Sequence, residues 1–210
     1  MLKYKRIVSN LLEENIYILS DKNKDSIIID PGLGFQHIKD YIEENDLKPI
    51  AILATHAHID HIASAEECQR KYSIPIYMCK EDSLLIENYE KLAGFWKVEA
   101  KKPNITNWID KDETEIKINN FEFKCFFNPG HSPGCMSFEI DNTIFCGDLI
   151  FKGSIGRTDL PASSPLDMEK SLESFVNSFD IDSILCTGHG DETSLGQELK
   201  TNPFLMKYAR

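Results

Sequence analysis

A short run dense in histidine follows directly on the apolar segment 50–54: Thr55-His56-Ala57-His58-Ile59-Asp60-His61. The apolar segment indicates a short buried strand, and polar residues just beyond a strand end are commonly presented to a cleft. In an extended segment His56 and His58 point to the same side, so their imidazoles can share one metal ion. Asp60 and His61 fall at the predicted first turn of a helix, where they diverge and suit a second ion.

Three more residues of ligand type lie where strand-like runs meet turns: His131, Asp148 and His189. We expect His131 to complete the first metal site and His189 the second. Asp148 has two carboxylate oxygens and can bridge the two cations. A single histidine between apolar strands is more often an ordinary core group, and His37 is interpreted in that way. The seven residues together predict two divalent ions, with Zn²⁺ the best match and Fe or Mn also suited to these donors.

The bulk properties indicate an ordinary globular protein. The chain has 210 residues, of which 41% are hydrophobic and 27% charged, so we expect one domain spanning 1–210 with a substantial core. Its 34 acidic and 23 basic residues give a formal charge of −11, which opposes binding to nucleic acid. The N-terminal sequence predicts no signal peptide or membrane span, and we expect a cytoplasmic protein.

The six cysteines include no Cys-x-x-Cys pair and favour buried, reduced thiols: Cys68, Cys79, Cys125, Cys135, Cys146 and Cys186. Cys146 precedes Asp148 by two residues on a predicted strand. A modulating role for Cys146 near the metals therefore stays open.

The pattern of apolar residues predicts an α/β protein. Predicted strands lie at 3–8, 15–20, 26–30, 50–54, 74–78, 114–118, 121–127, 135–141, 143–147 and 183–186. Apolar residues at helical spacing follow the third strand and the histidine run, and they recur from residue 168 onward. The tail after Gly196 also looks helical. This order predicts a four-layer αββα sandwich. The segment 80–104 is compatible with a short helix at 83–92, but Gly94 and Pro103 break the helical pattern. We therefore expect this segment to be rich in loops, and it is a candidate lid.

The histidine run together with His131, Asp148 and His189 resembles the signature of the metallo-β-lactamase superfamily. The turn at 30–32 and the runs at 147–151 and 153–161 resemble its hydroxyacylglutathione hydrolase (glyoxalase II) branch, in particular the short members in which few residues follow the last ligand histidine. The resemblance implies that His56, His58 and His131 hold one metal, that Asp60, His61 and His189 hold the other, and that Asp148 bridges. It also implies hydrolysis of a thioester such as S-lactoylglutathione by a metal-bridging hydroxide, with Asp60 and Asp148 in the catalytic centre.

Two cationic residues are candidates for substrate binding. Arg157 lies in the run Gly-Arg-Thr-Asp-Leu-Pro, and we expect its guanidinium to bind the anionic end of the substrate through a bidentate fork. An ion pair with Asp159 is an equally good interpretation of Arg157. Lys152 is a weaker candidate. The aromatic residues Phe95, Trp96 and Phe151 are assigned to core or lid packing.

Other functions stay open at this stage. A persulfide dioxygenase with a single iron keeps the same ligand residues, and a metallo-hydrolase of another ester or phosphoester is a further alternative. True β-lactamases are disfavoured because, by the same resemblance, they lack the bridging aspartate for which Asp148 stands. The expected partner is a small-molecule thioester, with no nucleic acid and no membrane; the oligomeric state is left open.

Overall fold

The computed structural model describes residues 2–9 and 12–209. The chain divides into two compact units, Met1–Asp110 and Lys111–Arg210, which are described in turn. Each unit contains a six-stranded sheet of its own. A single domain over 1–210 stays a prediction.

The first unit has a mixed sheet whose strands follow one another in chain order. Its strands are β1 Lys3–Val8, β2 Asn15–Ser20, β3 Asp25–Ile29, β4 Lys48–Leu53, β5 Ile76–Cys79 and β6 Asn107–Ile109. The first three strands form the predicted antiparallel meander, whereas β3, β4, β5 and β6 pair in parallel. The carboxyl ends of β3, β4 and β5 therefore lie at one edge of the sheet, where an open α/β sheet usually binds its ligands.

Five helices connect the parallel strands of this unit: α1 Phe35–Glu44, α2 Ile59–Ile62, α3 Ala65–Tyr72, α4 Ser83–Glu87 and α5 Tyr89–Trp96. Ile38 and Ile42 form the buried face of α1, and each buried isoleucine stabilises the fold by about 1.5–3 kcal/mol. In β3, Ile27, Ile28 and Ile29 are all 0% exposed. A continuous β-branched run of this kind is typical of a strand buried on both faces.

The expectation of a loop-rich segment at 80–104 is only partly correct. The short helix predicted at 83–92 is present as α4 and α5, and residues 97–106 form a loop, but residues 80–96 are helical almost throughout. A 3-10 turn at Lys80–Asp82 leads directly into α4, and α5 continues through Gly94 to Trp96. Tyr89 and Ala93 are buried in α5, and this packing outweighs the roughly 1 kcal/mol that glycine costs inside a helix. The sequence interpretation also missed the short edge strand β6.

The second unit has a sheet with the strand order β14-β13-β10-β9-β8-β7. Its strands are β7 Glu115–Ile118, β8 Phe121–Phe127, β9 Met136–Ile140, β10 Thr143–Gly147, β13 Ile184–Thr187 and β14 Thr193–Ser194, with β11 Ile150–Phe151 and β12 Ser154–Ile155 forming a separate hairpin. The predicted second meander is confirmed. Asp141 and Asn142 both have positive φ, of 49° and 60°, as a tight two-residue hairpin turn requires.

The described part of this unit has two α-helices, α6 Pro165–Ser178 and α7 Leu195–Thr201, and a 3-10 turn at Met206–Tyr208. The Ser164 side chain accepts a hydrogen bond from the Asp167 amide and caps α6, with Pro165 in the first turn. Helix α6 connects β12 to β13, and β13 pairs with β10 in parallel. Because β8, β10 and β13 run in the same direction, their carboxyl ends also share one edge. In the described part of the chain, no helix has the length and apolar character needed to cross a membrane.

Candidate metal centre

The histidine run lies at the carboxyl end of β4. His58 precedes α2 as its N-cap residue, with φ −70° and ψ 149°, and Asp60 and His61 lie in the short helix itself. The predicted change from extended chain to helix within the run is thus confirmed. The His56 ring centroid lies 4.7 Å from that of His58 and 4.1 Å from that of His61. The fold therefore gathers the three imidazoles into one cluster.

A buried aspartate at the end of β3 organises this cluster. The Asp30 carboxylate accepts hydrogen bonds from the Thr55 amide and the Thr55 hydroxyl, both at 2.7 Å, and from His61 Nδ1 at 3.0 Å. Asp30 is 2% exposed and has a left-handed backbone, with φ 48°. Asp30 also lies within 4.8 Å of the candidate ligand atoms of His56 and His61. Since its two oxygens accept from Thr55 and His61, we interpret it as a support for the ligands.

The same contacts fix the tautomer of two histidines. The only hydroxyl hydrogen of Thr55 is donated to Asp30, so Thr55 Oγ1 accepts the bond that joins it to His56 Nδ1 at 3.0 Å. His61 Nδ1 likewise donates to a carboxylate. In both rings the proton is therefore on Nδ1 and the lone pair on Nε2, which is the form that binds a metal ion.

A second buried carboxylate supports the run from β5. Asp82 is 0% exposed, and its Oδ2 accepts the backbone amide of Ala57 at 2.8 Å. Asp30 and Asp82 thus support the run from the two strands that flank β4. Sequence analysis interpreted Asp30 as part of a turn and did not single out Asp82. Asp30 could have been suspected because it ends a fully apolar strand, whereas Asp82 gave no comparable signal.

Close packing next to the ligands leaves no space for a side chain at Gly32. A Cβ atom there would lie 2.0 Å from the Asp60 carbonyl oxygen and 2.1 Å from Glu14 Oε2. Only glycine allows the backbone after Asp30 to approach the ligand helix so closely.

The second unit contributes its candidate ligands from the ends of β8, β10 and β13. Asp148 Oδ2 lies 3.1 Å from His131 Nε2 and 3.7 Å from His189 Nε2. His131 and Asp148 are buried, whereas the His189 side chain is 26% exposed. One carboxylate thus lies beside the Nε2 atoms of two histidines. The role of Asp148 as a bridge between two ions stays a prediction.

The contacts in this unit also favour metal binding. His131 Nδ1 donates to the Arg157 carbonyl oxygen at 2.8 Å, so the neutral form of this ring also carries its lone pair on Nε2. A lone pair 3.1 Å from a carboxylate oxygen is repulsive unless a cation or a proton compensates it. The imidazole and carboxylate donors of the two units fit Zn²⁺, and they also fit Fe or Mn.

The two predicted substrate-binding residues are engaged in ion pairs on the surface. Arg157 Nε and Nη2 donate to the two Asp159 carboxylate oxygens at 2.6 and 2.8 Å. This bidentate hydrogen bond raises the pKa of Arg157 and lowers the pKa of Asp159. Lys152 Nζ lies 3.1 Å from Asp191 Oδ2. The ion pair considered for Arg157 is therefore present, and substrate binding by Arg157 and Lys152 stays a prediction.

The cysteines are all buried, free thiols, as predicted. Burial raises the pKa of Cys68, Cys79 and Cys125 to about 12. Cys146 Sγ lies 3.5 Å from the carbonyl oxygens of Ile150 and Cys186.

The three aromatic residues predicted to pack in the core or in a lid differ in their burial. Phe151 is partly buried, and its ring lies edge-on to the ring of His189, with centroids 5.7 Å apart. Phe95 is 78% exposed and Trp96 42% exposed, which contradicts packing of these two residues in the core. A lid role for them stays a prediction.

Comparison with known proteins places these features in a family. The sequence profile described as the metallo-beta-lactamase superfamily matches residues 10–189. The chain belongs to the metallo-β-lactamase superfamily. Among its relatives, hydroxyacylglutathione hydrolase GloC of Haemophilus influenzae is 33% identical over 199 residues, which cover 92% of this chain and 93% of GloC.

Two solved structures extend the match to the metallo-β-lactamase fold. BLEG-1, described as a B3 metallo-beta-lactamase, is 31% identical with a TM-score of 0.88, over 97% of this chain and 99% of the other. TTHA1623 in a di-iron-bound form is 32% identical with a TM-score of 0.86, over 96% and 100%. The predicted α/β fold class is confirmed. The protein is a metallo-β-lactamase superfamily hydrolase, and its histidine and aspartate clusters imply divalent metal ions.

Proposed function

We propose that this superfamily member is a binuclear, metal-dependent thioester hydrolase of the hydroxyacylglutathione hydrolase type. In this proposal, one ion is held by His56, His58 and His131, the other is held by Asp60, His61 and His189, and Asp148 serves both. The observation that carries the proposal is the position of Asp148 Oδ2, which lies beside His131 Nε2 and His189 Nε2. The name of the relative GloC supports the choice of a thioester as substrate.

The residues of the chain have distinct tasks in this reaction. When bound, two divalent ions would supply an acidified water molecule at neutral pH and polarise the thioester carbonyl. The supports on Nδ1 of His56, His61 and His131 keep the lone pairs of these rings on Nε2. The carboxylates of Asp60 and Asp148 would supply the negative charge that offsets the repulsion between two cations, and they would orient the attacking water. A thiolate leaves without a strong proton donor, so the reaction needs no separate general acid.

The assay compares substrate classes on one metal-loaded sample. We expect cleavage of S-lactoylglutathione or a related thioester, followed as loss of thioester absorbance, with two metal equivalents per chain. Asp148→Asn should lower kcat/KM by at least about 10²-fold, the usual effect of removing a group that stabilises the transition state. Leu166→Ala, at an exposed position of α6, is the control and should retain full activity.

Other outcomes would replace this proposal. One bound iron together with oxygen uptake on a glutathione persulfide would identify a dioxygenase. Turnover of a β-lactam without turnover of thioesters would instead assign the activity named for BLEG-1. Hydrolysis of a simple ester or phosphoester alone would retain the metal centre but change the substrate class.

A further inference from the structure

A buried carboxylate on α7 links the two segments around His189. Glu198 is 0% exposed. Its Oε2 accepts the Gly153 amide at 2.8 Å and Asn202 Nδ2 at 2.9 Å, and its Oε1 accepts the Thr193 hydroxyl at 2.6 Å. Three donors thus compensate the burial of one charge, which would otherwise be costly.

One side of this network fixes the hairpin formed by β11 and β12. Gly153 lies in the hairpin turn, and Asn202 Nδ2 also lies 3.3 Å from the Phe151 carbonyl oxygen and 2.9 Å from that of Ser154. Phe151 is the hairpin residue whose ring packs edge-on against His189, at an interplanar angle of 89°. Glu198 and Asn202 therefore hold the backbone of the hairpin that carries this aromatic ring.

The other side of the network fixes the loop that carries His189. Thr193 begins β14, directly after this loop, and its hydroxyl donates to Glu198. At the opposite end of the loop, the Thr187 hydroxyl lies 2.9 Å from the His189 carbonyl oxygen and 3.2 Å from that of Asp191. The exposed pair Lys152–Asp191 adds another link between the hairpin and this loop. His189 thus lies between two segments that one carboxylate joins.

We infer that Glu198 is a positioning residue, which orients the His189 imidazole through Phe151 and Thr193 and so sets the affinity of the ion that His189 holds. This inference rests on the metal assignment of the proposed function. Its physical basis is that a ligand ring held in one orientation loses less freedom when it binds a metal ion, and outer contacts of this kind change metal affinity by about 10- to 100-fold.

The test is a metal titration of the full-length protein. The metal-free protein is titrated with Zn²⁺ against a chromophoric chelator, and the Co²⁺ derivative is followed by its visible absorption. The Glu198→Gln variant keeps the size of the side chain, but only one of its two terminal atoms can accept a hydrogen bond, although three donors face it. We expect one ion to bind as in the unmodified protein and the other to bind about 10- to 100-fold more weakly.

Two further variants make the result decisive. Thr193→Val removes only the donor on the His189 side and should weaken binding of the same ion to a smaller extent. If Glu198→Gln does not fold, Thr193→Val tests the positioning role in its place. Glu173→Gln, at an exposed position of α6, is the matched control and should titrate as the unmodified protein does. The inference is overturned if both ions bind the folded variants with normal affinity, or if both ions are weakened equally.

The result is separable from the substrate assignment. If the unmodified protein binds two ions but cleaves no thioester, the proposed function fails, while selective weakening in Glu198→Gln still supports the positioning role. If thioesters are cleaved and the variants titrate normally, only the positioning role fails.

Discussion

Single residues next to the candidate metal ligands determine which nitrogen is available in the imidazoles of His56, His61 and His131. Asp30 accepts from His61 directly and reaches His56 through the Thr55 hydroxyl. His131 is oriented by a backbone carbonyl, that of Arg157. Because these contacts keep the proton on Nδ1, the ligand side of each ring is set before any ion binds.

Replacement of Asp30 tests this support. In Asp30→Asn an amide NH₂ group replaces one acceptor oxygen, although Thr55 and His61 direct three donors at the side chain. We expect Zn²⁺ affinity to fall by about 10- to 100-fold, as measured by chelator competition. Asp40→Asn on the exposed part of α1 is the control and should bind zinc normally. Unchanged affinity in Asp30→Asn would show that the tautomers need no such support.

The Arg157–Asp159 pair separates substrate binding from a purely structural role. If Arg157 binds the anionic end of the substrate, Asp159 competes with the substrate for the guanidinium. We then expect Asp159→Asn to lower KM and Arg157→Ala to raise it, with little change in kcat. Both residues are exposed, with 58% and 69% of their side-chain surface accessible, so neither change should alter the melting temperature much. If steady-state assays give both variants the KM of the unmodified protein, Arg157 forms only the ion pair with Asp159 and does not bind the substrate.

Whole elements place these residues at strand ends. In the first unit Asp30, the histidine run and Asp82 follow the adjacent parallel strands β3, β4 and β5. In the second unit His131, Asp148 and His189 follow β8, β10 and β13, which run in one direction. Parallel strand direction is therefore what collects residues that lie far apart in the sequence.

Two glycines of different surroundings test the packing of the elements. Gly94 is exposed in α5, and no atom apart from its own helical backbone and its chain neighbours lies within 4 Å of the position that a Cβ atom would take, so Gly94→Ala should stabilise the protein by about 0.5–1 kcal/mol. At Gly156 a Cβ atom would lie 1.8 Å from the Asp148 carbonyl oxygen. We expect Gly156→Ala to destabilise the protein by about 1–3 kcal/mol and to weaken metal binding. Urea unfolding measures the change in the free energy of unfolding for each variant. Equal changes for the two variants would contradict the packing described here.

At the scale of the whole molecule, buried thiols should make the protein less stable as the pH rises into the alkaline range. Burial raises the pKa of Cys68, Cys79 and Cys125 from 9.0 to about 12. The folded state therefore retains protons that the unfolded state loses above about pH 9, and the free energy of unfolding should fall as the pH rises beyond that point. Thermal unfolding at about pH 8 and about pH 10.5 measures the effect.

A variant with alanine at these three positions provides the control. It should show a smaller loss of stability between the two pH values, because the thiols no longer contribute. An equally steep loss in the variant would assign the effect to other groups, such as Tyr72, whose pKa burial raises to about 12.

The sequence by itself predicted ten of the twelve strands in the two sheets, all but the short edge strands β6 and β14, and it indicated the superfamily. The metal ligands that it suggests stay a prediction. The sequence could do this much because alternation of apolar residues and clustering of histidines are local patterns, which packing has little freedom to override. The same local reasoning fails at the end of α5, where Gly94 predicts a break but buried contacts at Tyr89 and Ala93 hold the helix together.

Only the tertiary structure shows which residues contact and support the segments that carry the candidate ligands. Asp30 is 31 positions from His61, Asp82 is 25 positions from Ala57, and Glu198 is 45 positions from Gly153. Such pairs meet only when strand order and helix packing bring them together, so their spacing along the chain carries no signal. The ion pairs of Arg157 and Lys152 likewise depend on how surface loops fold, which composition does not specify.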